Sequence, residues 1–211
     1  MIVRNVLVLP GDLRGSGFYR AIQPYQWLAK TYPLDHHVII SSPNIPTGLI
    51  KWANVIVMQT VVDMSLLQLI LTNKSPKAKI VFDIDDAVFC VPDWNVSKPK
   101  MTPEILRQFK VMMLYADCVV ASTEPLAEVV IEHANIKREK LTVIPNGIDL
   151  DLFPKPKRDN KDFVVGWSGS AHHHGDMVEF LPILRKILNL YPDVKVEFIG
   201  ANYGLALLDA K

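Results

Sequence analysis

Three aspartates lie within four residues, directly after an apolar run that is typical of a buried strand. The stretch reads Phe82-Asp83-Ile84-Asp85-Asp86. Carboxylates at the end of a strand are costly unless they are solvated, hydrogen-bonded or bound to a metal ion. We therefore treat Asp83, Asp85 and Asp86 as the candidate catalytic residues.

The residues alone leave four interpretations of these carboxylates open. They can line the acceptor or sugar site of a glycosyltransferase, or hold a divalent cation on a diphosphate as an Asp-x-Asp pair. They can also belong to a haloacid-dehalogenase-like phosphatase, whose motif resembles Phe-Asp-Ile-Asp followed by Gly-Thr. Here Asp86-Ala87 stands in place of Gly-Thr, and the motif is far from the N-terminus. The fourth interpretation is a set of solvated carboxylates that cap the next segment.

A glycine-rich turn follows the first apolar run and leads into a helix, over residues 10–20. Glycine allows close backbone approach, and the N-terminus of a helix favours an anion. The spacing is neither that of a dinucleotide-binding fingerprint nor that of a P-loop. We take Gly15, Ser16, Gly17 and Arg20 as candidate ligand contacts, and the alternative is a simple tight turn between strand and helix.

Three consecutive histidines, His172 to His174, raise the question of a metal site. Consecutive residues cannot all face one ion, and no cysteine or carboxylate lies at ligand spacing from them. We therefore predict no metal here. A polar loop that opens the next helix, with Asp176 near its N-terminus, is one interpretation. An imidazole that donates a hydrogen bond to a phosphate is the other.

Short β-branched runs alternate with longer stretches of helical periodicity. The predicted strands are Val6–Leu9, His37–Ile40, Val55–Met58, Ile80–Phe82, Cys118–Ala121 and Leu141–Ile144. The predicted helices are Phe18–Thr31, Leu66–Leu71, Pro103–Ala116 and Glu124–Ala134. Continuous apolar strands separated by helices indicate a parallel sheet covered on both faces. With right-handed crossovers, this predicts an α/β fold with a Rossmann-like, doubly wound parallel sheet.

We predict three segments in the chain: an N-terminal Rossmann-like domain over 1–150, a linker over 151–162, and a partial second Rossmann-like domain over 163–211. The second domain would hold its first β-α-β unit. Such a unit leaves apolar faces uncovered when it stands alone. We therefore expect a truncated portion of a longer polypeptide, and the alternatives are packing on the first domain or oligomerisation through the incomplete second domain. The unit comprises Phe163–Trp167, Met177–Tyr191 and Val194–Ile199.

The composition is that of a globular protein, with 49% hydrophobic residues, 21% charged residues and a formal net charge of +1. This balance gives no strong signal for nucleic-acid binding. The two cysteines, Cys90 and Cys118, do not make a disulfide framework, which favours a reducing compartment. There is no signal-peptide pattern, and no apolar run reaches the ~18 residues of a membrane span. We predict a cytoplasmic protein and leave peripheral contact with the inner membrane face open.

Taken together, these motifs resemble glycosyltransferase family 4, also called glycosyl transferases group 1, which has the GT-B fold. The resemblance extends over essentially the whole chain, and Pro-Asn-Gly-Ile-Asp at the domain junction is its most specific part. Residues 169–177 also match a Gly-Ser-x-x-His-x-x-Asp-Leu pattern of one branch of that family. The motifs are, in order, residues 15–20, 82–86, 121–126, 143–149 and 166–170.

The resemblance implies transfer of a sugar from a nucleotide-sugar donor to a glycan, lipid or other acceptor, with retention and without a metal. No cofactor is expected. The N-terminal domain would bind the acceptor and the C-terminal domain the donor, whose diphosphate charge backbone N–H groups and basic side chains would stabilise. Arg20 would supply positive charge. The further binding residues that the resemblance implies are Ser122, Glu124, Asn146, Gly169, Ser170 and His173.

The sequence departs from the family pattern in two places. A Glu-x7-Glu element, which binds the donor late in the second domain, does not occur before the chain ends. An Arg and a Lys that commonly clamp the phosphates are replaced by residues 167–172, in which histidine is the only base. Two alternatives to a glycosyltransferase follow: a non-catalytic remnant that binds a ligand or partner, and a haloacid-dehalogenase-like phosphatase that uses Asp83 and Asp85.

Overall fold

A computed structural model of the protein describes residues 4–153 and 162–204. These residues form two compact units. The first unit holds residues 4–90 and 103–153, and the second holds 91–102 and 162–204. Most of the predicted linker, residues 154–161, lies outside the described residues, as do residues 205–211.

The first unit contains a six-stranded, all-parallel sheet in the order β2-β1-β3-β4-β5-β6. Its strands are rich in valine and isoleucine, which pack well on a pleated surface, and the central ones are buried because helices cover both faces. The predicted Rossmann-like α/β fold is therefore confirmed. The strands are β1 (Arg4–Pro10), β2 (His36–Ile40), β3 (Val55–Gln59), β4 (Lys79–Ile84), β5 (Cys118–Ala121) and β6 (Leu141–Val143).

Two helices of the first unit, α4 and α6, begin at a residue whose side chain caps the first turn. The Asp63 carboxylate accepts hydrogen bonds from two backbone N–H groups of α4, and Thr123 caps α6. Helix α3 was not predicted, since it is short and contains Gly48. The helices are α1 (Gly15–Gly17), a π-helical turn (Phe18–Ile22) that joins it to α2 (Gln23–Thr31), α3 (Thr47–Trp52), α4 (Met64–Asn73), α5 (Pro103–Tyr115) and α6 (Glu124–Ala134).

The strand order reverses between β1 and β3. The chain first adds β2 on one side of β1 and then continues from β3 on the other side. Crossovers therefore leave β1 and β3 towards opposite faces, which opens a crevice beyond their carboxyl ends where ligands bind in sheets of this kind. The register pairs Pro10 with Gln59 and Gln59 with Asp83, so the ends of three strands lie level.

In the part of the second unit that the structure describes, two parallel strands are joined by one helix and accompanied by residues 91–102. The elements are β7 (Val164–Gly169), α7 (His174–Leu190) and β8 (Lys195–Gly200). Its core is a small cluster in which three residues of α7 pack with Tyr203, namely Met177, Leu181 and Leu184. This is the β-α-β arrangement that the sequence predicts for the region.

Candidate functional site

Arg20 and Asp83 form a buried, two-point ion pair at the carboxyl end of the sheet. Arg20 Nε donates to Asp83 Oδ1 at 2.9 Å, and Nη2 donates to Oδ2 at 2.7 Å. Each residue is only 6% exposed. Burial raises the pKa of Asp83 above the ordinary aspartate value, and the hydrogen bonds and charge of Arg20 oppose that rise. Two parallel charge-assisted bonds fix the planes of both groups, so the pair is a rigid feature of the site.

The remaining contacts of Arg20 join the glycine-rich turn to the segment after β6. Its Nη1 donates to the backbone oxygen of Ile144 at 2.6 Å and to Asn146 Oδ1 at 3.1 Å. Arg20 lies in the π-helical turn, a rare conformation that is frequent at functional sites. The guanidinium is therefore committed to partners within the protein, which fits a positioning role better than direct contact with a diphosphate.

The glycine-rich turn is held closed by the carboxylate of Asp12. Its two oxygens accept hydrogen bonds from Arg14 N at 2.7 Å, Gly17 N at 3.2 Å and Ser16 Oγ at 3.4 Å. A Cβ at Gly17 would overlap the backbone carbonyl of Asp12, and Gly15 has a φ of +48°. Both positions therefore require glycine, one for close approach and one for its left-handed conformation.

Gln59 connects this turn to the carboxylates, and the sequence analysis did not identify it. The residue is fully buried at 0% exposure. Its Oε1 accepts from Gly11 N at 2.9 Å, while Nε2 donates to Ser16 Oγ at 3.3 Å and to Asp85 Oδ1 at 3.4 Å. The position of Gln59 could have identified it. Gln59 ends β3, Asp83 lies near the end of the neighbouring strand β4, and polar side chains at the ends of neighbouring parallel strands lie close together.

Asp85 is partly buried beside this amide. Burial raises its pKa, and the charges of Asp86 and Asp83 raise it further. Ser122 Oγ donates to the backbone oxygen of Asp85 at 3.5 Å. Asp86 is exposed to solvent. Asp85 and Asp86 thus present carboxylate oxygens just after β4, where they can accept hydrogen bonds from hydroxyl groups.

Glu124 stands apart from this group. It is exposed in the first turn of α6 and pairs with Arg138, whose Nη2 lies 2.8 Å from Glu124 Oε2. The first unit therefore brings together ten of the residues named above, and Glu124 is engaged elsewhere. The ten are Gly15, Ser16, Gly17, Arg20, Gln59, Asp83, Asp85, Asp86, Ser122 and Asn146.

The predicted binding residues of the second unit lie in the turn between β7 and α7. Ser170 Oγ accepts a hydrogen bond from His172 N at 3.4 Å and lies 3.0 Å from His172 Nδ1. His173 Nδ1 is 2.9 Å from Asp176 Oδ2. Gly169 ends β7, and its carbonyl accepts from Ala201 N at 2.9 Å. These residues open the N-terminus of α7, as the polar-loop interpretation predicts.

Residues 4–153 and 162–204 give no support for a metal site or for a membrane-spanning helix. No group of three histidine, cysteine, aspartate or glutamate side chains in this part of the chain has an arrangement that could hold a metal ion. No helix in it is long and apolar enough to cross a membrane.

Comparison with known proteins confirms the resemblance seen in the sequence. Residues 91–152 match the sequence model of Glycosyltransferase Family 4. Comparison with curated proteins finds no significant match.

Two solved structures share the fold. A glycosyltransferase from Rickettsia africae has 12% identity and a TM-score of 0.52, with 98% of this chain and 70% of that chain covered. HepE from Anabaena, in complex with UDP and glucose, has 14% identity and a TM-score of 0.57, with 99% of this chain and 64% of HepE covered. The chain thus spans about two thirds of the length of these two proteins.

Proposed function

We propose that this chain is all or part of a glycosyltransferase of family 4, which transfers a sugar from a nucleotide-sugar donor to a glycan, lipid or other acceptor. The match of residues 91–152 to that family supports the proposal. This segment includes Pro145 to Asp149, the most specific part of the resemblance to that family. We further propose a retaining, metal-independent reaction, as the resemblance implies, and a cytoplasmic location, which the use of cysteine favours.

One observation carries the proposal. At the switch point of the sheet, the buried amide of Gln59 contacts Ser16 of the glycine-rich turn and the carboxylate of Asp85, beside which Asp86 is exposed. The turn leaves room for a ligand to approach the backbone, and the carboxylates suit the hydroxyl groups of a sugar. Arg20 and Asp83 fix this edge, because buried charge pairs with several hydrogen bonds hold one geometry.

We propose that residues 1–150 form the acceptor side and residues 163–211 the beginning of the donor side. Gly169, Ser170 and His173 would then face the diphosphate, with the N-terminus of α7 contributing its dipole. UDP-glucose is the first donor to test, since HepE is solved with UDP and glucose.

The test uses the complete polypeptide that contains this sequence. We expect it to bind UDP-glucose or another nucleotide sugar in isothermal titration, and to release free nucleotide slowly in the presence of EDTA. Asp85→Asn and Asp86→Asn should lower turnover more than they lower donor affinity, because these carboxylates lie on the acceptor side.

Glu128→Gln is the matched control, since Glu128 is an exposed carboxylate on α6. It should leave turnover unchanged. Failure to bind any common nucleotide sugar would contradict the proposal and favour a non-catalytic binding protein. Magnesium-dependent hydrolysis of p-nitrophenyl phosphate would favour the phosphatase.

A further inference from the structure

A cavity of about 550 Å³ lies in the first unit, between the helix that follows β1 and the segment that follows β6. Its volume is in the range of small-molecule sites, roughly 300–1,000 Å³. The lining is mainly apolar and aromatic. Six of the residues that form it are Tyr19, Tyr25, Trp27, Ile144, Ile148 and Leu150.

Several of these side chains are exposed although they are among the most hydrophobic in the protein. Trp27 is 49% exposed, Ile148 is 59% exposed and Leu150 is 69% exposed. Single exposed apolar residues are ordinary, but a contiguous group around a concavity marks a binding surface. An aromatic wall of two tyrosines and a tryptophan favours a ligand with a flat apolar body.

One residue of the cavity wall also carries a buried polar atom without a partner. Gln23 lines the cavity and is only 6% exposed. Its Oε1 accepts no hydrogen bond from any described residue. A buried acceptor left unsatisfied is costly, so a ligand that donates a hydrogen bond to this oxygen, once the Gln23 side chain turns towards the cavity, gains what the free protein lacks.

The charges around the cavity disfavour an anionic ligand. Arg20 contributes a cation to the lining, but its guanidinium is bonded to Asp83 and to the segment after β6. Asp149 and Asp151 add two further carboxylates to the wall. Burial raises the pKa of Tyr25 to about 12, and the charge of Asp83 contributes, so its phenol is neutral. The wall therefore carries more negative than positive charge, which disfavours phosphates and carboxylates.

We propose that this cavity binds a neutral or cationic small molecule with a flat apolar body and a hydrogen-bond donor, such as a hydroxyl or an amine. A nucleotide sugar does not fit this description, because its diphosphate is anionic. The inference goes beyond sugar transfer and stands without it. Binding is measured with no nucleotide sugar present, so this proposal and the proposed function can fail separately.

Three probes of one shape and different charge test the proposal at neutral pH. They are 4-phenylbutylamine, 4-phenylbutan-1-ol and 4-phenylbutanoate. Their affinities for the 211-residue chain are measured from amide chemical shifts in NMR titrations. We expect the amine and the alcohol to shift residues 19–27 and 144–151, and the carboxylate to bind at least roughly tenfold more weakly than the amine.

Two variants locate the contact. Gln23→Met removes the unpartnered oxygen at similar volume and should weaken binding of the alcohol about fivefold, while Gln26→Met on the exposed side of α2 should leave it unchanged. Leu150→Lys places a cation at an exposed position of the rim, so the fold tolerates it. It should strengthen binding of the carboxylate and weaken that of the amine.

Three results would overturn the proposal. The first is equal binding of the carboxylate and the amine to the unmodified chain. The second is an unchanged preference in Leu150→Lys. The third is a dimer in light scattering with no probe bound, because the cavity would then be an interface between two copies.

Discussion

Both carboxylate oxygens of Asp83 accept hydrogen bonds from Arg20, and the ion pair holds the two groups in one relative orientation. Removing one partner of a buried pair leaves an uncompensated charge, which costs roughly 3–5 kcal/mol. We expect Arg20→Met to lower the free energy of unfolding of the first unit by about this amount, as measured by urea denaturation. Asp83→Asn should cost less, because the amide still accepts one hydrogen bond.

A double-mutant cycle measures the interaction free energy between Arg20 and Asp83. Arg20→Met combined with Asp83→Leu should be less destabilised than the sum of the single changes, because no buried charge remains. Glu104→Gln is the control, since Glu104 forms a solvent-exposed pair with Arg107 and its loss should leave stability nearly unchanged. Additive single changes at Arg20 and Asp83 would show that the pair is not coupled.

Asp85 is expected to limit stability at neutral pH. Its pKa is raised in the folded protein, by burial first and then by Asp86 and Asp83. Between the ordinary aspartate pKa and this raised value, the folded state binds more protons than the unfolded state, so stability falls as pH rises through that interval. We expect Asp85→Asn to stabilise the protein at pH 7, by about 0.5–2 kcal/mol, because the amide carries no charge to bury beside Asp83 and Asp86.

The pH dependence provides the check. The gain from Asp85→Asn should shrink as pH falls through the raised pKa and vanish near the ordinary aspartate value, when urea midpoints are compared across pH. Asp86→Asn changes an exposed carboxylate in the same loop and serves as the control for a simple loss of charge. A gain that is the same at pH 7 and pH 4 would mean that deprotonation of Asp85 is not the cause.

At the scale of elements, the turn between β1 and α2 depends on close approach at Gly17. A Cβ there would overlap the Asp12 carbonyl, while a Cβ at Gly48 in α3 would meet nothing within 4 Å. We expect Gly17→Ala to cost about 1–3 kcal/mol, as overpacking does. Gly48→Ala should raise stability by roughly 0.4–1 kcal/mol through the unfolded state. Thermal unfolding, monitored by circular dichroism, distinguishes the two variants. Equal effects of Gly17→Ala and Gly48→Ala on the unfolding temperature would show that the turn can relax.

The sequence predicted the strands and most helices of the first unit because periodicity and capping are local properties. The predicted end of the fourth strand also placed Asp83 and Asp85 at the carboxyl edge of the sheet. Gln59 was missed because a single glutamine after an apolar strand is not distinctive by itself. Its importance comes from the register that places it between β1 and β4.

Local sequence patterns likewise could not predict the partner of Arg20. The side chain is separated from Asp83 by 63 residues and from Asn146 by 126. The resemblance implied that Arg20 would supply positive charge, and tertiary packing pairs its guanidinium with Asp83. The cavity beside Arg20 could not be predicted from the sequence for the same reason, since its walls come from segments more than a hundred residues apart.

At the scale of the whole molecule, the two units differ in how much core each one has. The first has six strands with helices on both faces, and its central strands β1, β3 and β4 are almost fully buried. The sheet described in the second has two strands, packed on one helix through a cluster of four buried residues. Two-stranded sheets are marginal without further cover, so the second unit should open more readily.

Hydrogen exchange read by mass spectrometry tests this difference. We expect the amides of β7 and β8 to exchange at least about tenfold faster than those of β1 and β3, which corresponds to ~1.4 kcal/mol less opening free energy. Arg20→Met should speed exchange in β1, β3 and β4 and leave β7 and β8 unchanged, since the pair lies within the first unit. Equal protection of the two sheets, or a parallel loss in both, would mean that the two units open as one cooperative body.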